Sequence, residues 1–79
     1  MGFIMDIILK DAKMLFEQGA IVGWHLDAIY NEWVLYLKMI DRKEKQLYSH
    51  TGNIRYFKTV NAGISAVQAI GFEVSSLSN

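Results

Sequence analysis

Apolar residues first recur in this chain with a helical period. Between residues 4 and 18 they return every three or four positions, with charged side chains between them on the opposite side. This spacing predicts an amphipathic helix, and Gly19 is a suitable residue to end it. The polar side lacks the Lys/Arg bias of helices that lie on membranes, so we expect it to pack on a sheet.

The helical period returns between residues 59 and 72. Thr59 is a candidate N-cap, with Asn61 as a second candidate, and Gly71 suits the backbone turn that ends a helix. One apolar stripe runs along the helix, formed by Val60, Ile64, Val67 and Ile70. The opposite side is small and uncharged. Two alternatives account for this small, uncharged side: it is buried within the domain, or it is a contact face for a second chain.

Elsewhere the apolar residues alternate with a period of two, which predicts strands. These strands cover residues 20–30, 33–40, 46–50, 54–58 and 72–77. Gly23 is a candidate bend, Asn31-Glu32 a tight turn, and Thr51-Gly52-Asn53 the turn of a hairpin between the third and fourth strands. The 33–40 strand is apolar on both sides, so we expect it to be central.

These elements predict one α+β domain over residues 1–79. Their order is α-β-β-β-β-α-β, and the expected fold is an antiparallel sheet of four to five strands with two helices on one face. Two helices cover only one side of such a sheet. The other side is then left open, and monomers rarely expose a large apolar patch.

The open side and the neutral helix side both predict self-association as a homodimer. The apolar fraction of 52% is high for a chain of 79 residues and favours a surface that pairs with another chain. The candidate contact residues are Val34, Tyr36 and Ile40 on the sheet and Ala62, Ala66 and Ala69 on the second helix.

The distribution of charge indicates a nucleic acid as an alternative partner. The formal net charge is zero, whereas dedicated non-specific DNA binders are usually strongly basic. Between residues 38 and 58, however, six basic residues stand against two acidic ones. A basic and aromatic rim is therefore the candidate nucleic-acid surface, formed by Lys38, Arg42, Lys43, Lys45, Tyr48, Arg55, Tyr56 and Lys58. A solvated charged turn is the simpler explanation of the same residues.

The chain carries no motif for catalysis or for a cofactor. His25, Asp27 and His50 are candidate metal ligands, but a His-x-Asp spacing is common by chance and a third ligand is not specified. No nucleophile elbow or phosphate loop is present. We therefore expect a protein that is not an enzyme and that has no cofactor, no metal and no catalytic residue.

Cysteine usage and hydropathy bear on location. The sequence has no cysteine, so it forms no disulfide framework, and no apolar run approaches the roughly 18 residues of a membrane span. The N-terminal pattern does not match a signal peptide, because Asp6 interrupts a short apolar run that no basic segment precedes. We expect a cytoplasmic protein that does not enter membranes.

Three short segments resemble a known family. They are the Trp33-Val34-Leu35-Tyr36-Leu37 strand, the Gly52–Ala62 stretch, which contains Arg55, Phe57 and Thr59, and the Ile70-Gly71-Phe72 helix end. In this order they are similar to the W-x-L-x-L, R-x-F-[KR]-[ST]-[LV] and I/L-G-[FIV] patterns of ParC-like proteins. These are small plasmid partition-associated proteins, unrelated to the topoisomerase subunit of that name. The uncharged second helix departs from the family, where basic residues are frequent.

The resemblance implies a bacterial mobile-element protein that acts by binding. The expected function is a non-catalytic interaction module, an accessory of plasmid partition or maintenance that works through protein–protein contacts with a partition-complex protein. The alternative is weak nucleic-acid binding through the rim between residues 38 and 58.

Overall fold

The structure, a computed structural model, describes residues 5–74, with side chains from residue 7 onward. Within these residues, two helices and five strands follow one another. They are β1 (Met5–Ile8), α1 (Leu9–Glu17), β2 (Ile21–Ile29), β3 (Glu32–Met39), β4 (Glu44–Tyr48), β5 (Tyr56–Phe57) and α2 (Val60–Ile70).

The strands form one mostly antiparallel sheet in the order β1-β4-β3-β2. β1 runs parallel to β4, and β5 pairs with β3 at Trp33 and Val34, beyond the β4 pairing. Both helices pack on one face, because Ala12 of α1 and Val67 of α2 lie in the same core cluster as Leu35 and Leu37 of β3. The predicted α+β class, with two helices on one face of the sheet, is confirmed.

The start of the chain differs from the prediction. Residues 5–8 form a strand, and helix α1 begins only at Leu9, whereas one helix was expected over residues 4–18. The spacing of Ile7 and Ile8 suits either element, and pairing with β4 decides between them. Ile7 is buried in the core. Ile4 lies outside the described residues.

The two long strands follow the alternating pattern closely. β2 and β3 match the predicted strands to within one residue at each end, and β3 is central, with β2 on one side and β4 and β5 on the other. The bend expected at Gly23 is a bulge in the pairing between Ile21 and Gly23. The turn consists of Tyr30 and Asn31, one position earlier than predicted.

The predicted hairpin between residues 46–50 and 54–58 forms only near its turn. Ser49 N donates to Asn53 O at 2.8 Å, and Tyr48 bridges Ile54. Beyond that point the returning segment pairs with β3 and not with β4. The reason is that β1 already occupies the other edge of β4, which a regular hairpin partner would have needed.

Helix α2 begins and ends as predicted. The Thr59 hydroxyl accepts a hydrogen bond from Ala62 N at 3.1 Å, and Gly71 ends the helix with a φ of +136°. Phe72 then packs on Phe16 of α1, with ring centroids 4.6 Å apart. Residues 72–74 form no strand, and the rest of the strand predicted over 72–77 lies outside the described residues.

Candidate binding surfaces

An open cleft of about 690 Å³ lies where β1 and β4 end and α1 begins. Eight of the described residues line it, four of them basic or able to become cationic and none of the eight acidic: Ile8, Leu9, Lys10, Lys13, Tyr48, Ser49, His50 and Arg55. The acidic Asp11 lines a smaller neighbouring depression that shares Tyr48 and His50 with the cleft. The cleft is thus a local concentration of positive charge in a chain with no net charge.

The loop side of the cleft is held by short contacts. The hydroxyls of Ser49 and Thr51 lie 2.6 Å apart, and Ser49 Oγ also donates to Asn53 O at 3.2 Å. Arg55 N donates to Leu47 O at 3.1 Å, and the Arg55 guanidinium lies 5.1 Å from the centroid of the Phe57 ring. These contacts position Arg55 at the mouth of the cleft.

The predicted basic rim does not form one surface. Arg42 and Lys43 lie in the turn between β3 and β4, whereas Tyr48 and Arg55 lie near the other end of β4. A strand of five residues separates the two groups by about 13 Å or more. Of the predicted rim, only Tyr48 and Arg55 line the cleft.

The other rim residues lie outside the cleft, and among them Tyr56 lines a separate depression with Tyr48. Lys38 is exposed on the uncovered face of the sheet, and Lys45 is half-buried opposite Leu37 on the helix side. Tyr56 is 48% exposed, and Lys58 is exposed just before α2.

The uncovered sheet face is more polar than the sequence predicts. His25 stacks on Tyr36 with ring centroids 4.9 Å apart. His25 Nε2 lies 3.6 Å from Asp27 Oδ2, and Nδ1 lies 3.9 Å from Glu44 Oε2. Val34 belongs to the same face yet is fully buried between its register neighbours Asp27 and Tyr56. The face thus carries polar as well as apolar side chains, and Ile40 and Tyr56 remain exposed on it.

The predicted self-association residues are therefore corrected in part. Val34 and Ala66 are buried inside the chain, where no partner reaches them, because Ala66 belongs to the buried side of α2. Tyr36 is half-buried, and Ile40 is 68% exposed just beyond the end of β3. Of the helix residues, Ala62 and Ala69 are exposed.

The outer edge of β2 is a further surface, which the sequence did not single out. Within residues 5–74, β2 pairs only with β3. The two-residue turn joins Ile29 to Glu32. In hairpins of this kind, the two residues that flank the turn form a hydrogen-bonded pair. Because bonding alternates along an antiparallel strand, the backbone groups of Trp24, Leu26 and Ala28 point away from β3.

The candidate metal ligands do not assemble. His25 lies beside Asp27, but His50 lines the cleft. No group of three His, Cys, Asp or Glu side chains suited to a metal ion occurs in the described part of the chain.

Comparison with known proteins adds no relative. No protein-family model, no curated protein and no solved structure matches this chain. The resemblance to ParC-like proteins therefore stays a prediction. Neither described helix has the length and apolar character needed to cross a membrane.

Proposed function

We propose that the protein is a non-catalytic interaction module that works as a homodimer joined along β2. The observation that carries this proposal is the nine-residue length of β2 together with its single described neighbour, β3. An unpaired strand edge presents a row of N–H and C=O groups that favours pairing with another chain.

The two outer strands of the sheet differ in a way that favours β2. β1 has four described residues and β2 has nine, so β2 offers the longer described edge for pairing. β2 contains no Pro, Lys or Arg, and its bulge lies at one end, between Ile21 and Gly23. From Trp24 to Ile29 its pairing with β3 is regular.

A two-fold axis through Leu26 makes this edge self-complementary. Trp24 then lies opposite Ala28 of the partner subunit, and all three outward-pointing residues join the new ladder with about six hydrogen bonds. His25 comes to lie opposite Asp27 of the partner subunit on the uncovered face. An imidazole opposite a carboxylate is a favourable polar cross-strand pair, so this register adds two such pairs.

Light scattering at tens of micromolar protein tests the dimer. We expect a mass twice the 9.0 kDa of the chain for the wild type. Ala28→Pro removes a donor that points away from β3, so it leaves the β2–β3 bonds intact and shifts the protein to monomer. Ala28→Ser keeps the N–H and is the matched control.

Circular dichroism of both variants must remain that of the wild type. A wild-type mass of 9.0 kDa would refute the dimer, and a dimeric, folded Ala28→Pro protein would refute this edge as its interface.

The resemblance to ParC-like proteins extends the proposal to a cellular role. In that role the dimer is a cytoplasmic accessory of plasmid partition or maintenance and contacts a partition-complex protein. A plasmid-loss assay tests this role. Deleting the gene should increase plasmid loss, and the wild type should restore retention better than Ala28→Pro. Unchanged loss after deletion would contradict the role without bearing on the dimer.

A further inference from the structure

We propose that the cleft between α1 and the 49–55 loop binds single-stranded nucleic acid through one or two nucleotides. This site is separate from the β2 edge, so the proposal does not depend on the dimer. Its phosphate ligands are the side chains of Lys10, Lys13 and Arg55, and its base-stacking surface is Tyr48.

The positive charge is concentrated in the cleft and is not a property of the whole chain. Lys10 and Lys13 are three residues apart on α1, so they lie on neighbouring positions of one helix surface. The fold brings Arg55 and His50 to the same cleft from a loop far along the chain. Because the whole chain has no net charge, this convergence does not follow from a generally basic surface. Convergent cations of this kind favour a phosphate-bearing ligand.

The loop that carries Arg55 is anchored before any ligand arrives. Its backbone N–H is bonded to Leu47 O, and its guanidinium lies against Phe57, which is buried in the core. The bonds of Ser49 to Thr51 and Asn53 hold the preceding turn. A cation that is already positioned loses less side-chain freedom on binding than a free surface lysine.

The shape and the aromatic residue indicate a single strand. A cleft of about 690 Å³ lies within the roughly 300–1,000 Å³ range of sites for small ligands, so it admits a nucleotide but not a duplex. Tyr48 is half-buried at the end of β4 and lines the cleft together with the cations. Aromatic rings beside basic groups are the usual means of binding unpaired bases without sequence preference.

Fluorescence anisotropy with a labelled oligothymidine tests the site. We expect binding at 50 mM salt that weakens at 200 mM, with a logarithmic slope of about −2 for three phosphate contacts. Arg55→Glu should weaken binding by about tenfold or more. Lys43→Glu is the matched control, since it makes the same charge change at the far end of β4 and should have little effect.

A second pair of variants isolates stacking from charge. Tyr48→Leu keeps an apolar side chain and should reduce affinity severalfold without changing the salt slope. Tyr30→Leu, in the β2–β3 turn and outside the cleft, should leave the affinity unchanged. Circular dichroism of each variant checks that the fold is retained.

Several outcomes would overturn the proposal. They are no binding at 50 mM salt with tens of micromolar protein, an equal loss for Lys43→Glu and Arg55→Glu, or duplex DNA binding as tightly as the single strand.

Competition separates the sources of the phosphate. Thymidine monophosphate should displace the oligonucleotide more effectively than inorganic phosphate, and equal displacement by the two would refute stacking on Tyr48.

Discussion

At the scale of single residues, Tyr30 has a backbone conformation that its side chain disfavours. It lies in the two-residue turn between β2 and β3, with a φ of +56° and 99% of its surface exposed. Positive φ is readily adopted by glycine but strained for an aromatic residue. The exposed ring gains little burial to offset that strain.

Replacing Tyr30 by glycine should therefore stabilise the fold. We expect Tyr30→Gly to raise the free energy of unfolding by about 1 kcal/mol, because the gain from relieved strain exceeds the greater entropy of glycine in the unfolded chain. Urea denaturation measures the change. Tyr30→Ala removes the same ring but keeps the β-carbon, so it should give no comparable gain. Equal stabilisation by both variants would show that the ring, and not the backbone angle, was unfavourable.

The ends of helix α2 could be predicted from the sequence. Thr59 and Gly71 were predicted as the ends of α2 because a cap and a glycine stop act through bonds within the same turn. Tyr30 was missed because no turn-forming residue precedes it, and the pairing of β2 with β3 imposes its angle.

At the scale of elements, the contact between α2 and β2 depends on one residue without a side chain. Gly63 is buried, and a β-carbon built there would lie 2.7 Å from Leu26 Cδ2. The absence of a side chain lets the helix approach the sheet at this point. Packing against the sheet thus explains why the buried side of α2 carries no charge.

Gly63→Val should accordingly destabilise the protein by about 1–3 kcal/mol through overpacking against Leu26. Ala69→Val on the exposed side of the same helix should cost only about 0.5 kcal/mol, the difference in helix propensity. Chemical denaturation of both variants gives the comparison. Truncating the neighbour should relieve the clash, so Leu26→Ala and Gly63→Val together should cost less than the sum of the single changes. Strict additivity would contradict the contact.

The elements also show where sequence reasoning reached its limit. β2 and β3 were predicted well because their alternation extends over eight or nine residues. β1 was assigned to a helix because four residues are too few to distinguish the two periods, and its pairing with β4 is not encoded nearby. That error concealed the cleft. Lys10 and Lys13 line the same cleft as Arg55 because α1 starts where β1 and β4 end.

At the scale of the whole molecule, the sheet is asymmetric in how its strands are bonded. β3 is paired along both sides, whereas β2 has a described partner on one side only. Protection of backbone N–H groups from hydrogen exchange follows such differences.

Hydrogen exchange should therefore separate the strands in a concentration-dependent way. The N–H groups of Tyr36 and Leu37 should exchange slowly at every protein concentration, because β3 is central. Those of Trp24, Leu26 and Ala28 should exchange fast in dilute solution and become protected as the dimer forms. Protection of these three groups that does not change with concentration would argue against pairing between copies.

The parallel pairing of β1 with β4 has a consequence for how a newly made chain folds. β2 and β3 are joined by a two-residue turn, and hairpins of this kind form within about 1–10 μs. Met5, in contrast, pairs with Lys45, and at about 5–20 residues per second the ribosome adds the intervening segment in roughly 2–8 s. During those seconds Ile7 has no β4 strand to lie beside. Strand β1 is thus made well before the strand that shelters it, and the apolar side chain of Ile7 stays exposed on the nascent chain until β4 has been synthesised.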